Sequence, residues 1–91
     1  MKKYMPIRAN RARMKKEFDA QSTIGRYGKT GLARIALTPE YNQVRDLVRG
    51  WMEEAGLKTR VDAVGNLFGR KQGGVKGLPV VMAGSHPDSP N

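Results

Sequence analysis

No cysteine occurs in the 91 residues. That excludes a disulfide framework and a thiolate metal site, and it fits a reducing compartment. No run approaches the roughly 18 apolar residues of a membrane span. The basic start of the chain is followed by no apolar segment, so no secretory signal is expected. The reading expects a cytoplasmic chain with no membrane partner. Acidic residues are missing from residues 1–16, which carry Lys2, Lys3, Arg8, Arg11, Arg13, Lys15 and Lys16. The rest holds ten bases and eight acids, so most of the net charge of +9 belongs to one end. Histidine is also scarce, with His86 alone.

Two phosphate-binding patterns are absent as well. No Gly-x-x-x-x-Gly-Lys-Ser/Thr loop is present. The glycine-rich run Gly69–Gly74 follows a predicted hairpin instead of opening a helix, so it lacks the dinucleotide-binding context. Ser85 beside His86 has no Gly-x-Ser-x-Gly elbow around it. Ninety-one residues make at most one small domain, which buries a modest fraction of its surface.

What is present reads as α/β. Residues 6–20 are compatible with a helix whose thin apolar stripe is Ile7, Met14 and Phe18. Residues 21–29 read as a polar connector, and 32–37 as either a strand or an apolar loop. The clearest element follows. Thr38 is a good N-cap, Pro39 suits the first helical position, and Glu40 complements the dipole. Val44, Leu47, Val48, Trp51, Met52 and Ala55 recur at helical spacing, and Gly56 is placed to end the helix. Residues 57–63 alternate as a half-buried strand. Gly65-Asn66 turns the chain, and 67–70 returns to complete a hairpin. Residues 71–77 form a glycine-rich loop.

The apolar run 79–83 reads as a central strand covered on both faces. It needs neighbours and cover that one good helix does not supply. The chain is therefore expected to associate with copies of itself or to form part of something larger.

His86 and Asp88 follow that run, where functional groups gather past strand ends in open α/β sheets. A neutral imidazole binds divalent metal through one ring nitrogen, and an acceptor on the other nitrogen holds the ring. Asp88 is a local candidate for that outer role. His-x-Asp is a weak signal by itself, and a catalytic zinc site needs about three protein ligands.

Four segments appear in order: Gly31–Thr38 (GLARIALT), Trp51–Leu57 (WMEEAGL), Val61–Arg70 (VDAVGNLFGR) and Gly84–Ser89 (GSHPDS). Together they resemble the start of the M20 metallopeptidase-like amidohydrolases. The similar branch holds the N-carbamoyl-L-amino-acid hydrolases, allantoate amidohydrolases and β-ureidopropionases. The resemblance runs from about Phe18 to the last residue.

It implies the N-terminal, incomplete part of a mixed-sheet metallohydrolase catalytic domain over 17–91: helix, helix, hairpin and central strand. Residues 1–16 would be a basic arm or helix start. It implies two divalent metals (Zn, Mn, Co or Ni), hydrolysis of non-peptide C–N bonds in linear amides, and full-length homodimers. His86 would be a metal ligand and Asp88 the residue that orients it. The other family ligands and the general base have no counterpart here. The fragment is thus expected to bind no metal and to be inactive by itself. Two features depart from the family pattern: Pro87, and Ser89-Pro90-Asn91, which lacks the apolar residue that the family places between the serine or threonine and the proline.

Two other readings stand beside this one. A small basic module for nucleic acid or an acidic partner would use residues 1–16. Against it, the single Trp51 lies on the apolar helix stripe, and no specific nucleic acid is expected. A scaffold that docks on a full-length relative would use an open sheet edge.

Overall fold

The computed structural model describes residues 7–89. Its elements run α1 (Arg11–Ser22), β1 (Arg26–Tyr27), β2 (Gly31–Leu32), α2 (Pro39–Glu54), β3 (Lys58–Val61) and β4 (Leu67–Arg70). Among the described residues the strands form two antiparallel pairs, β1 with β2 and β3 with β4. The protein is a small α/β chain, but the single mixed sheet expected from the sequence is absent from the described residues.

α2 forms where its signals place it. The Thr38 hydroxyl accepts from the Tyr41 amide, and Pro39 opens the first turn. At the far end Gly56 takes φ +87°. The amides of Gly56 and Leu57 donate to the carbonyls of Glu53 and Met52, which satisfies the last turn.

One face of α2 lies on the β3–β4 hairpin. Val44 is the one fully buried side chain among the described residues. Leu47, Val48, Trp51 and Met52 are half-buried around it. Thr59 ties the helix to the hairpin: its hydroxyl accepts from Arg49 Nε at 2.9 Å and donates to Glu53 Oε1 at 2.8 Å.

The turn between β3 and β4 is self-wired. Asp62 Oδ1 accepts from the amides of Val64 (3.1 Å) and Asn66 (2.8 Å), and Oδ2 accepts from Asn66 Nδ2 (2.9 Å). The Asp62 carboxyl is held below its ordinary value of 3.8, chiefly by the Asn66 side chain and amide. The Val61–Arg70 segment is therefore built around a structural turn, in which Asp62 and Asn66 hydrogen-bond to each other.

Several expectations change. The first helix begins at Arg11, because the Asn10 side chain caps it by accepting from the Arg13 amide at 3.0 Å. It runs on through Ser22, past the expected end at residue 20. Its stripe finds no cover: Ile7, Met14 and Phe18 are all exposed. Of the basic segment 1–16, residues 1–6 lie outside the described residues and 11–16 are the start of α1. The polar connector contains β1. The ambiguous stretch 32–37 is mostly loop, and Leu37 takes φ +70°.

The expected central strand 79–83 does not form. Val80, Val81 and Met82 are 69%, 96% and 76% exposed. A strand exists only when its backbone groups find a ladder partner, and among the described residues β3 and β4 pair with each other and neither outer edge takes up this segment. The segment is extended chain without neighbours.

The consequence is a large uncovered surface. The accessible area is 8436 Å², against roughly 5,300 Å² for a compact monomer of this mass. The radius of gyration is 16.1 Å, against about 12 Å for a compact domain of this length.

Candidate functional site

The sequence brings His86 and Asp88 within two residues, and the structure brings their polar atoms together. His86 Nδ1 lies 3.0 Å from the Asp88 carbonyl oxygen and 3.3 Å from its Oδ1. Both neighbours are oxygens that accept. The proton of a neutral ring therefore belongs on Nδ1, where it donates, and the lone pair is left on Nε2. The imidazole is 73% exposed, so solvent and solutes reach it. Pro87 between them fixes φ and removes an amide donor, which shortens the ways the two side chains can separate.

The pair does not sit past the end of a strand. It follows the unpaired run 79–83 and is fixed from the other side. The Ser89 amide donates to the Arg34 carbonyl at 3.0 Å. The Ser89 hydroxyl accepts from the Arg34 amide at 2.7 Å and donates to the Leu32 carbonyl at 3.2 Å. Arg34 is itself buried, at 7% exposure, and its Nη1 donates to the carbonyl and side-chain oxygens of Gln21. Burial lowers the pKa of this guanidinium from its ordinary value. Arg34 Nε is buried without a partner among the described residues.

The sequence reading missed Ser89 and Arg34 as site residues. Their partnership spans more than fifty positions, and no local spacing announces it.

Among the described residues, no three of His, Cys, Asp and Glu gather as a metal cluster. His86 offers one nitrogen donor, with Asp88 spent on the same ring. That fits one corner of a metal centre and not a whole one. An open hollow of about 330 Å³, lined by Tyr27, Ile35 and Glu40 among others, includes neither residue. Arg26, Thr38 and Glu40 are the polar members of its lining. On α1, Lys15 pairs with Asp19 at 2.7 Å and Arg13 approaches Glu17 at 3.8 Å, both one helical turn apart. Its basic face is partly neutralised by its own acids. No described helix is long and apolar enough to cross a membrane.

No family model matches the chain. Individual relatives do. An N-carbamoyl-L-amino-acid amidohydrolase of Pseudomonas sp. (strain NS671) is 49% identical over 69 residues, covering 72% of this chain and 17% of the relative. One of Paenarthrobacter aurescens is 37% identical over 82 residues, covering 90% of the chain and 20% of the relative. This chain is a homologue of the amidohydrolases. Allantoate amidohydrolase of Escherichia coli (strain K12) extends the kinship to a second activity, at 37% identity over 68 residues, 75% of the chain and 16% of the relative. The aligned part of the chain spans between about a sixth and a fifth of these amidohydrolases.

Proposed function

We propose that this chain carries part of the metal site of an M20-type amidohydrolase. The reaction class is hydrolysis of a non-peptide C–N bond in a linear amide. N-carbamoyl amino acids and allantoate are the substrates in view, as the names of two groups of relatives suggest, with ureido compounds as a related class. His86 is the metal ligand, through Nε2. Asp88 orients the ring from the Nδ1 side. The single observation that carries this reading is the pair of Asp88 acceptors around His86 Nδ1. A ligand imidazole needs its second nitrogen held by such an acceptor.

A divalent ion of the zinc, manganese, cobalt or nickel class would supply Lewis acidity toward a carbonyl and lower the pKa of a bound water. This chain's part is narrower. It holds one nitrogen donor in one tautomer at an accessible position. With one donor in place, the 91 residues alone are proposed to hold metal weakly and to show no turnover. The cysteine-free composition supports work in the cytoplasm, and the uncovered surface supports assembly with further protein, as in a homodimer of complete enzymes.

The test is a zinc titration of the chain followed through the His86 ring resonances, beside an ammonia-release assay on an N-carbamoyl-L-amino acid. The expected result is a weak, His86-specific metal response that His86→Ala abolishes, with no ammonia released. A ring untouched by zinc overturns the ligand assignment. Stoichiometric metal together with turnover overturns the one-donor reading.

A further inference from the structure

We propose that Ser89, backed by Arg34, is the positioning residue of the His86–Asp88 pair, which makes it the anchor of the metal ligand read above. Among the described residues, the segment from Lys71 onward hydrogen-bonds to the rest of the chain only through Ser89. Residues 71–86 are exposed throughout, and no ladder restrains them. The place of the imidazole relative to the folded body is therefore set at position 89, three residues beyond it.

The anchor has a definite chemistry. Its hydroxyl accepts from one backbone amide and donates to one backbone carbonyl at the same time. Among small side chains only serine and threonine do both through one atom. With the Ser89 amide, these bonds hold the chain against Leu32 and Arg34, where β2 ends.

Arg34 stiffens the receiving side. It is nine-tenths buried, and its guanidinium holds the last turns of α1 through Gln21. Three parts of the chain meet there: α1, the exit of β2, and the residue that follows Asp88. A ligand held loosely by an angstrom loses much of its value, so the shell behind it carries function.

The experiment uses the ¹⁵N-labelled 91-residue chain with Ser89→Ala and Ser89→Thr. Backbone ¹H–¹⁵N NOE values at Gly84, Ser85, His86 and Asp88, amide exchange at Arg34, and the ¹⁵N shifts that report the His86 tautomer are measured. In the parent chain, residues 84–88 are expected to be as ordered as β3 and β4, with the His86 proton on Nδ1. Ser89→Ala should drop the NOE values to those of freely moving chain. It should also speed Arg34 exchange by about tenfold or more, as a local opening would. The preference for the Nδ1–H tautomer should be lost. Ser89→Thr should restore all three, and unchanged α2 and hairpin resonances certify the fold.

A Ser89→Ala chain that keeps its order and tautomer overturns the proposal, as does a threonine that fails to restore them. If the alanine variant unfolds, the parent chain decides: Arg34 and Ser89 amides exchanging at unfolded rates overturn the anchor. Zinc addition separates the two readings. A His86 ring that ignores zinc sinks the ligand assignment and leaves the anchor standing, while an anchor that fails these tests leaves the zinc response to be judged separately.

Discussion

Arg60 and Phe68 stand directly opposite each other across the β3–β4 ladder, and the guanidinium carbon lies 4.0 Å from the centre of the ring. The pair closes the hairpin on the face away from Thr59 and Val61. A cation over an aromatic face at an exposed site is worth about 0.5–1 kcal/mol. A double-mutant cycle with Arg60→Ala and Phe68→Leu should return a coupling of about that size in urea unfolding. A coupling near zero would show that the contact contributes nothing.

Val44 carries more. It is the most buried side chain described, on α2. Val44→Ala should cost about 2 kcal/mol, combining lost burial with the cavity left behind. The same change at exposed Val81 should cost close to nothing, by the same unfolding measurement.

The Asp62 turn should respond to acid. Its folded pKa is depressed, so its stabilising effect is full above the ordinary carboxylate value of 3.8 and is lost as pH falls through the lower folded value. The amide shifts of Val64 and Asn66, which donate to Asp62, followed from pH 6 downward by NMR, should therefore make their largest movement below the ordinary carboxylate range. Asp62→Asn should remove that transition while α2 keeps its own pH response.

Leu37 offers a stabilising change. It takes φ +70° with its side chain 80% exposed, so it bears left-handed strain and returns little burial. The strain is worth about 1–2 kcal/mol, and glycine adds about 0.5–1 kcal/mol of unfolded-state entropy. Leu37→Gly should leave a net gain of about 0.5–1 kcal/mol. A loss of stability on unfolding by urea would show that Leu37 has a packing role.

Local chemistry was legible and distant chemistry was not. Thr38, Pro39, Glu40 and Gly56 mark the ends of α2 because caps act within one turn of the residues that make them. The hairpin over 57–70 is legible for the same reason, since alternation and turn sit side by side. The closeness of His86 to Asp88 follows from their spacing alone. The run 79–83 misleads because apolarity says only that cover is wanted, and a ladder partner is a property of other chain segments. The start of α1 depends on Asn10, whose cap outweighs the weak stripe beginning at Ile7. The bond between Arg34 and Ser89 leaves no periodic trace, so only three-dimensional structure reveals it.

Gly25 takes φ +78°, and a Cβ there would stand 2.3 Å from the Ala33 carbonyl oxygen. Its own carbonyl accepts from the Ala33 amide at 2.7 Å. In a library that randomises this codon, nineteen of the twenty amino acids should be rejected, although the position touches no reacting group. The rejected variants would map how far a missing methyl reaches through the molecule: from a bend after the first helix, by way of one buried cation, to the imidazole some sixty residues on.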